Sequence, residues 1–519
     1  MSLLDYSDQY LNKKLSDVTL VIDGTELTAH RSILCERSDY FKAMFSDRFA
    51  EGKADRIVLK EASLKYFEVV LKHIYFCNRK NYTVASILPD DFDEVFKVYA
   101  CAKFYTLDEL MQGIISYLEF GGCPTIQMLN NAMAYSIDYL VLEAARKIKY
   151  DAHSIVELKI FENLTAQAVE YLLKLKLNTR QSTIFEALVS WMRLNTDKSD
   201  LFPKFLKLVD LYILSQEDLE ILFKPTKLID RKICQELINE QAERAKTAIK
   251  IVNENVINDP DDLCVLKGII HFRSLCLDCR SIQFDKDQII IDLKHQFYLN
   301  CLKFEIKQNK MSYTVHASLD SRDWQIIINH SKYDCFGPQV LYFNERPVRF
   351  IRINANPDYV FSLKVNIEAL YSTEPFEVDP DWALSIPNRN IMPSDIFTTS
   401  PIVKICGEKI DQEIRHLIVS TAGPALLLAN QYHYISFRLS QPYIIGSMKL
   451  QIRHLNSYFV LVSTNLKDWT RVFTEENVEG WRTVTFEKQP VLMIKIVGTK
   501  ALSPYFRIFG FECPALEVS

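Results

Sequence analysis

The sequence lacks the features of fibrous, secreted and membrane-spanning proteins. Only 13 glycines and 18 prolines occur in 519 residues, which excludes a collagen-like or low-complexity chain. Residues 1–10 contain no cationic stretch followed by an apolar run, and no apolar segment is long enough to span a bilayer. We therefore expect a cytoplasmic chain that does not insert into a membrane.

A strong excess of one charge is also missing. The formal net charge is -5, and acidic and basic residues are well mixed, so no concentrated field is available for nucleic acid. The sequence contains no Gly-rich phosphate loop, no Gly-x-Ser-x-Gly elbow and no paired-histidine metal motif. We therefore predict a protein that is not an enzyme, has no cofactor and does not bind nucleic acid.

The 12 cysteines lack the regular spacing of a disulfide scaffold. Cys276 and Cys279 form the only Cys-x-x-Cys, and a zinc site needs a second pair or nearby histidines, so no metal site is predicted. Cys406 and Cys513 lie near the two ends of the last domain, where extracellular relatives often carry a disulfide. Without an export signal, we expect two reduced thiols.

Hydrophobic residues make up 48% of the chain, which is enough for several packed cores in a protein of this length. Residues 18–22 and 27–29 alternate apolar and polar positions around Asp23-Gly24, which predicts a β-hairpin. Apolar residues at helical spacing follow in residues 66–74 and 92–100. The first 120 residues thus predict a small sheet flanked by helices.

Five segments of this region resemble the BTB/POZ family in order and spacing. They are Leu-Ser-Asp-Val-Thr-Leu at 15–20, Ala-His-Arg-Ser-Ile-Leu at 29–34, Ser-Asp-Tyr-Phe-Lys-Ala-Met-Phe at 38–45, Val-Leu-Lys-His-Ile-Tyr at 70–75 and Ala-Cys-Ala-Lys-Phe-Tyr at 100–105. The resemblance implies a homodimer formed through this domain.

The resemblance also implies roles for individual residues. Asp17 and Arg31 stand where the family places a charged pair near its dimer groove; the alternative is a capping carboxylate and a solvated cation. Phe49 and Glu51 stand where cullin-binding members carry a hydrophobic-x-Glu triplet, and Tyr75 where they offer another cullin contact. The alternatives are that Phe49 and Tyr75 are core residues and Glu51 is solvated. His30 is interpreted as a packed structural histidine.

Residues beyond Gly121-Gly122 are almost continuously helical in period, with Ile184, Leu188 and Trp191 on one face. The order of elements resembles the BACK domain that follows BTB in many adaptors. The family often has Arg and Pro in its last run, where this chain has Asp210 and Tyr212. We single out no site in this region.

The last half contains a duplicated unit. Matching residues are 145 positions apart and then, after the loss of two residues, 143 apart. The matched pairs are Ser312-Tyr313 with Ser457-Tyr458, Asp323-Trp324 with Asp468-Trp469, and Ile351-Arg-Ile353 with Ile494-Lys-Ile496.

Each copy is patterned as short strands and resembles the discoidin, or coagulation factor 5/8 type C, domain. Trp324 and Trp469 are predicted to be buried core residues. Proteins that combine BTB, BACK and two such domains in this order carry an acidic, Arg-containing loop with a Trp-Asp dipeptide before the Ser-Tyr run. This loop is absent here at 306–310 and 452–456, so a ligand that it would bind is not predicted.

We therefore predict a multidomain α+β protein. Its parts are an α/β BTB/POZ domain at 10–120, an all-α BACK helical domain at 121–255, and two discoidin-like β-sandwiches of jelly-roll type at 262–373 and 395–515. The resemblance implies a dimeric, substrate-recruiting adaptor of a cullin-3 RING ubiquitin ligase, with the discoidin-like pair holding an unknown protein substrate. The alternatives are a BTB scaffold without ubiquitin chemistry and a carbohydrate- or lipid-binding module, the latter in conflict with the missing signal peptide.

Overall fold

The computed structural model groups the chain into two compact units, each described by itself. The first comprises residues 1–177 and 183–208, and the second comprises 178–182 and 209–519. Cys276 and Cys279 lie outside the described residues. The structure describes residues 4–60, 62–152, 155, 159–175, 177–257, 264–271, 281–285, 287–355, 364–365, 367–392, 403–406, 425–427, 434–465, 467–501 and 505–515.

A three-stranded sheet lies in the first unit, in the order β2 (Thr25–Ala29), β1 (Val18–Ile22), β3 (Arg56–Val58). The predicted hairpin is confirmed: β1 and β2 pair antiparallel from Val18↔Ala29 to Ile22↔Thr25, and β3 joins β1 in parallel. Asp23 and Gly24 both have positive φ, 48° and 79°, as a tight hairpin turn requires.

Ten α-helices among the described residues complete the first unit. The first two residues of one of them, Gln181 and Ser182 of α9, belong to the second unit. The predicted segments 66–74 and 92–100 lie in α3 and α4, whose buried faces include Phe67, Leu71 and Phe96. The helices are α1 (Arg31–Arg37), α2 (Asp39–Met44), α3 (Leu64–Phe76), α4 (Phe92–Phe104), α5 (Asp108–Phe120), α6 (Thr125–Ala134), α7 (Asp138–Tyr150), α8 (Ala166–Lys174), α9 (Gln181–Leu194) and α10 (Phe202–Leu206).

The apolar stripe predicted on α9 is core. Ile184, Leu188 and Trp191 are buried, and the Trp191 indole N–H donates to the Leu164 carbonyl oxygen over 2.8 Å. This hydrogen bond satisfies the polar N–H of the ring, so the indole can be buried without leaving an unpaired donor. Of the helices in the described ranges, none combines the length and apolarity that a bilayer crossing requires.

The second unit begins with a short helical segment and continues into two β-modules. The helical segment holds a 3-10 turn at Leu211–Ile213, α11 (Gln216–Glu220) and α12 (Arg231–Ala245). The strands of the first β-module are β4 (Cys264–Lys267), β5 (Ile269–His271), β6 (Ser281–Gln283), β7 (Gln288–Ser318), β8 (Gln325–Ala355), β9 (Lys364–Val365) and β10 (Ile367–Leu370).

The second β-module repeats the pairing of the first, as the duplication predicts. Lys303 of β7 pairs with Val340 of β8 and with Glu368 of β10; the corresponding Lys449 pairs with Thr483 and Glu512. The strands between and within the second module are β11 (Glu377–Val378), β12 (Ser385–Ile386), β13 (Val403–Cys406), β14 (Ala425–Leu427), β15 (Tyr434–Ser463), β16 (Thr470–Ala501) and β17 (Tyr505–Glu512).

Each module has its own apolar core, built from alternate residues of its two long strands. Tyr313 and the corresponding Tyr458 are both fully buried, with relative exposures of 1% and 0%. Cys513 is a free, buried thiol, and burial raises its pKa to about 12, so it behaves as a small apolar core residue.

Candidate functional site

A short turn in the first unit presents Phe49 to solvent. The ring is 52% exposed, and the chain enters a 3-10 turn directly after it, at Ala50–Lys53. Backbone hydrogen bonds close the turn on both sides of Phe49: its N–H donates to the Ser46 carbonyl oxygen, and the Gly52 N–H donates to the Phe49 carbonyl oxygen. Phe49 therefore belongs to an exposed turn, and the alternative that it is a core residue is not realised.

Arg31 holds this turn in place. Its guanidinium donates to the carbonyl oxygens of Gly52 at 2.8 Å and Ala54 at 2.6 Å, and it lies 4.7 Å from the centroid of the Phe45 ring. A planar guanidinium can satisfy two carbonyl groups and stack on an aromatic ring at the same time. The backbone that carries Phe49 is thereby fixed before any partner arrives.

Gly52 is the residue that allows this close packing. A Cβ at position 52 would stand 2.6 Å from the Ser46 carbonyl oxygen, closer than carbon and oxygen can approach. Glu51, on the same turn, is exposed. The turn thus offers an apolar ring and a carboxylate on a rigid backbone.

Asp17 and Arg31 are neighbours, but the backbone joins them. The Asp17 carboxylate accepts from the Arg31 backbone N–H at 2.8 Å and so caps the first turn of α1, while the guanidinium is directed to the carbonyl groups of the turn. The two side chains therefore do not form the expected ion pair: Asp17 caps α1, and Arg31 positions the turn that carries Phe49. The dimer-groove role of the two residues stays a prediction.

Tyr75 lies in the core, which was the alternative for this residue. It is 1% exposed; its hydroxyl accepts from the His30 backbone N–H at 3.0 Å and lies 2.9 Å from His30 Nδ1. Burial raises the pKa of Tyr75 to about 12. His30 is buried, as expected of a structural histidine. Tyr75 therefore offers no surface to a partner in this conformation.

A buried charge cluster joins the helical segment to the first β-module within the second unit. Arg349 and Asp292 are each 1% exposed and lie 3.1 Å apart, and Arg349 also lies 2.5 Å from Asp210 and bonds the Tyr212 hydroxyl. Lys294 adds a second buried cation 3.5 Å from Asp292. Burial alone would raise the pKa of Asp292, but Lys294 and Arg349 hold it below its ordinary value.

Asp210 and Tyr212 are the two residues that depart from the BACK pattern. Both contact Arg349, so the departure is explained by the partner that the first β-module provides. The sequence does not reveal this contact, because residues 210 and 349 are 139 positions apart. The strand that carries Arg349 also has the same alternation of apolar and polar residues as other strands.

A second polar junction joins the two β-modules. The Gln441 side chain pairs with Val340 as a peptide group would: its oxygen accepts from the Val340 N–H at 2.7 Å, and its nitrogen donates to the Val340 oxygen at 2.8 Å. Arg438 donates to the Asp334 carbonyl oxygen at 2.7 Å and lies over the Phe336 ring. The outer edge of β8 is thus covered by the second module.

A cavity of about 480 Å³ opens beside this junction. Tyr342 stacks on Phe376 with 4.7 Å between ring centroids, and its hydroxyl donates to Glu374 at 2.8 Å. Arg389 and the partly buried Tyr443 also line the wall. The volume and the mixture of aromatic and charged groups suit a few side chains of a bound partner.

Trp324 and Trp469 are not core residues, so that prediction is wrong. Each is only half-buried, and a cation of the neighbouring strand lies over each ring: Arg352 at 4.3 Å from Trp324, and Lys495 at 3.9 Å from Trp469. The shared position misled the sequence interpretation, because duplication preserves a surface contact as faithfully as a core contact. The sequence feature that indicates a surface contact is the Ile-(Arg/Lys)-Ile run, because its middle residue supplies the cation that lies over the ring.

Comparison with known proteins gives matches over almost the whole chain. Residues 6–120 match the BTB/POZ domain family. BTB/POZ domain-containing protein 9 of Homo sapiens is 26% identical over 98% of this chain and 87% of its own length, and that of Drosophila melanogaster is 24% identical over 98% and 73%. Kelch-like protein 11 of Mus musculus is 23% identical over 47% of this chain and 35% of its own length.

Two solved structures overlap with parts of the chain. They are the CBM32 of AlyQ in complex with 4,5-unsaturated mannuronic acid, at 12% identity over 22% of this chain and 95% of that one, and a chitosan-binding module 1 of Paenibacillus sp. IK-5, at 20% over 22% and 93%. Both have a TM-score of 0.19.

Proposed function

Because this chain is a divergent member of the group of BTB/POZ domain-containing protein 9, we propose that it is a substrate-recruiting adaptor of a cullin-3 RING ubiquitin ligase. In this proposal the BTB domain dimerises and binds cullin-3, the BACK-type helices act as a spacer, and the two jelly-roll, discoidin-like modules receive a protein substrate. The chain acts in the cytoplasm and performs no catalysis of its own.

The observation that supports the cullin half of the proposal is the presentation of Phe49. An aromatic ring that stands exposed on a fixed turn can enter a pocket without ordering its backbone first, which lowers the cost of binding. A small number of such anchors commonly supplies most of the energy of an interface. Glu51 on the same turn can orient the contact by accepting hydrogen bonds at its rim.

We expect Phe49→Ala to weaken binding to cullin-3 by roughly 2 kcal/mol, about thirtyfold, because a desolvated aromatic anchor is lost. Glu51→Gln should add a smaller loss. Unfolding temperature and dimer mass should stay unchanged, since Phe49 is 52% exposed. Titration calorimetry with purified cullin-3, next to light scattering and thermal unfolding, measures all three quantities.

Leu194→Ala is a suitable control, because Leu194 is another exposed apolar residue of the first unit, 64% exposed. It should leave cullin-3 affinity unchanged. If Phe49→Ala lowered the unfolding temperature and the dimer mass along with affinity, Phe49 would be a structural residue and not an anchor.

The alternative function is a BTB scaffold without ubiquitin chemistry. Absence of binding between the unmodified protein and cullin-3 at tens of micromolar would favour it. In that case the exposed turn would still mark a binding surface of the BTB domain, but for a different partner.

A further inference from the structure

Among the described residues, no strand covers one edge of the second β-module, whereas the second module covers the matching edge of the first. Residues 480–485 of β16 pair with residues 447–452 of β15 on one side. Within the described part of the chain, no strand lies on their outer side. A strand edge with free peptide groups is a ready template for another chain.

The first module shows what such an edge binds. Val340, at the matching place on β8, turns its N–H and C=O away from β7, and both are taken by the side-chain amide of Gln441. Arg438, three residues earlier, binds the Asp334 carbonyl oxygen and the Phe336 ring. The occupant of this edge is therefore a segment with an arginine three residues before a glutamine.

The second module reproduces this edge at positions 143 residues later. Thr483 takes the place of Val340 and, by the same register, turns its N–H and C=O away from β15. Gly480 takes the place of Gly337, and both have positive φ, 84° and 65°. The backbone is therefore prepared in the same way in both copies.

The side chains around the second edge select for positive charge. Glu479 takes the place of Phe336 and is exposed, as are Glu476 and Glu487, whereas Glu475 is already paired with Arg482. An arginine that stacks on Phe336 in the first module would meet the Glu479 carboxylate in the second. Trp481 is 49% exposed, but its ring lies across β15 against Gly510 and so points away from this edge.

We propose that the edge 480–485 is a docking site for an extended, basic segment of a partner protein that carries an arginine three residues before a glutamine. The glutamine amide binds the backbone of Thr483, and the arginine binds Glu479. The inference rests on the proposed role of the β-modules as substrate receptor, and it names the class of substrate. A second copy of the chain is a poorer occupant, because its own Arg438–Gln441 segment already covers β8.

The test uses the full chain and a labelled peptide, Ser-Phe-Arg-Leu-Ser-Gln-Pro-Tyr, which copies residues 436–443. We expect saturable binding by fluorescence anisotropy with a dissociation constant of about 100 μM or tighter, as short strand-edge contacts allow. Replacing the peptide glutamine by leucine should weaken binding about tenfold, because both amide hydrogen bonds are lost.

The variant Glu479→Arg should also weaken binding about tenfold, whereas Glu377→Arg, which reverses an exposed acidic residue of β11, should not. Equal binding to the Glu479→Arg variant and the unmodified protein would overturn the proposal, since the peptide would then bind elsewhere. If the peptide did not bind and Glu479→Arg dissociated a dimer, the proposal would be overturned, because the edge would then bind a second copy of the chain. No cullin is present in this assay, so its outcome is independent of the Phe49 experiment.

Discussion

The two β-modules arose by duplication, yet their corresponding surfaces carry different chemistry. Asp292 and Arg349, the buried ion pair that receives the helical segment in the first module, correspond to Arg438 and Leu492 in the second. His330, bonded to Tyr313, corresponds to Glu475, bonded to Tyr458. The strand pairing stayed the same while the polar partners were exchanged.

This comparison teaches where a duplicated unit can diverge. Core residues such as Tyr313 and Tyr458 are constrained by every neighbour, so both copies retain them. A residue that contacts a neighbouring segment is constrained mainly by that segment, so its amino-acid type can differ between the copies when the segment differs. The differences between the copies therefore mark the surfaces where each module meets something else.

The largest expected effect comes from Asp292→Ala. It leaves the buried cations Arg349 and Lys294 without their shared carboxylate, which should destabilise the first module by about 3–5 kcal/mol. Hydrogen exchange of β7 and β8 peptides in urea measures this module separately. Arg438→Ala, at the matching position of the second module, should cost only about 1 kcal/mol, and equal losses in the two variants would contradict the distinction.

The next effect is the response to acid, for which the two copies should differ. Burial lowers the pKa of His330 to about 3, so the unfolded chain takes up its proton near pH 6.5 while the folded module does not. Stability of the first module should therefore fall as pH drops below 6.5, by about 1.4 kcal/mol for each pH unit. Hydrogen exchange between pH 7 and 5 measures this slope. His330→Asn should reduce it and leave the contribution of His316, whose pKa burial and Arg352 also lower.

The second module should respond only at lower pH. A hydrogen bond from Arg482 lowers the pKa of Glu475, so the carboxylate stabilises the folded state above its ordinary pKa of about 4.3 and loses this contribution as pH falls through the lowered value. The second module should keep its stability from pH 7 to 5. An equal loss in both modules over this range would show that other groups control the acid response.

The smallest effect should come from the tryptophans, in which the two modules agree. Trp324→Ala and Trp469→Ala should each cost about 1–2 kcal/mol, less than a core aromatic, because the rings are half-buried and each also loses a cation contact. Urea unfolding of both variants tests this. A loss above about 3 kcal/mol in either would restore the core interpretation that the sequence suggested.

The sequence predicted the local elements well and the contacts between distant segments poorly. The hairpin at Asp23-Gly24 and the buried stripe on α9 follow from turn chemistry and from hydrophobic period, which are local properties. Arg31 shows the limit: its position was identified, but its bonds to Gly52 and Ala54 depend on how two separate segments meet.

The same limit explains Trp324 and Trp469. A large aromatic at a repeated position is consistent with either a core or a surface contact, and the sequence pattern does not distinguish them. Only the placement of Arg352 and Lys495 over the rings does so. The correspondence between the edges at Val340 and Thr483 likewise depends on the strand register of both modules, which the sequence pattern does not specify.

The span of the Asp210 to Arg349 contact has a consequence for synthesis on the ribosome. The two residues are 139 positions apart, so the helical segment after residue 208 must wait for its buried partner to be translated. At about 5–20 residues per second, this wait lasts roughly 7–28 s. During that interval Asp210 and Tyr212 lack their partner Arg349, while the helix at Arg231–Ala245, which contacts Leu211–Ile213, has already been translated.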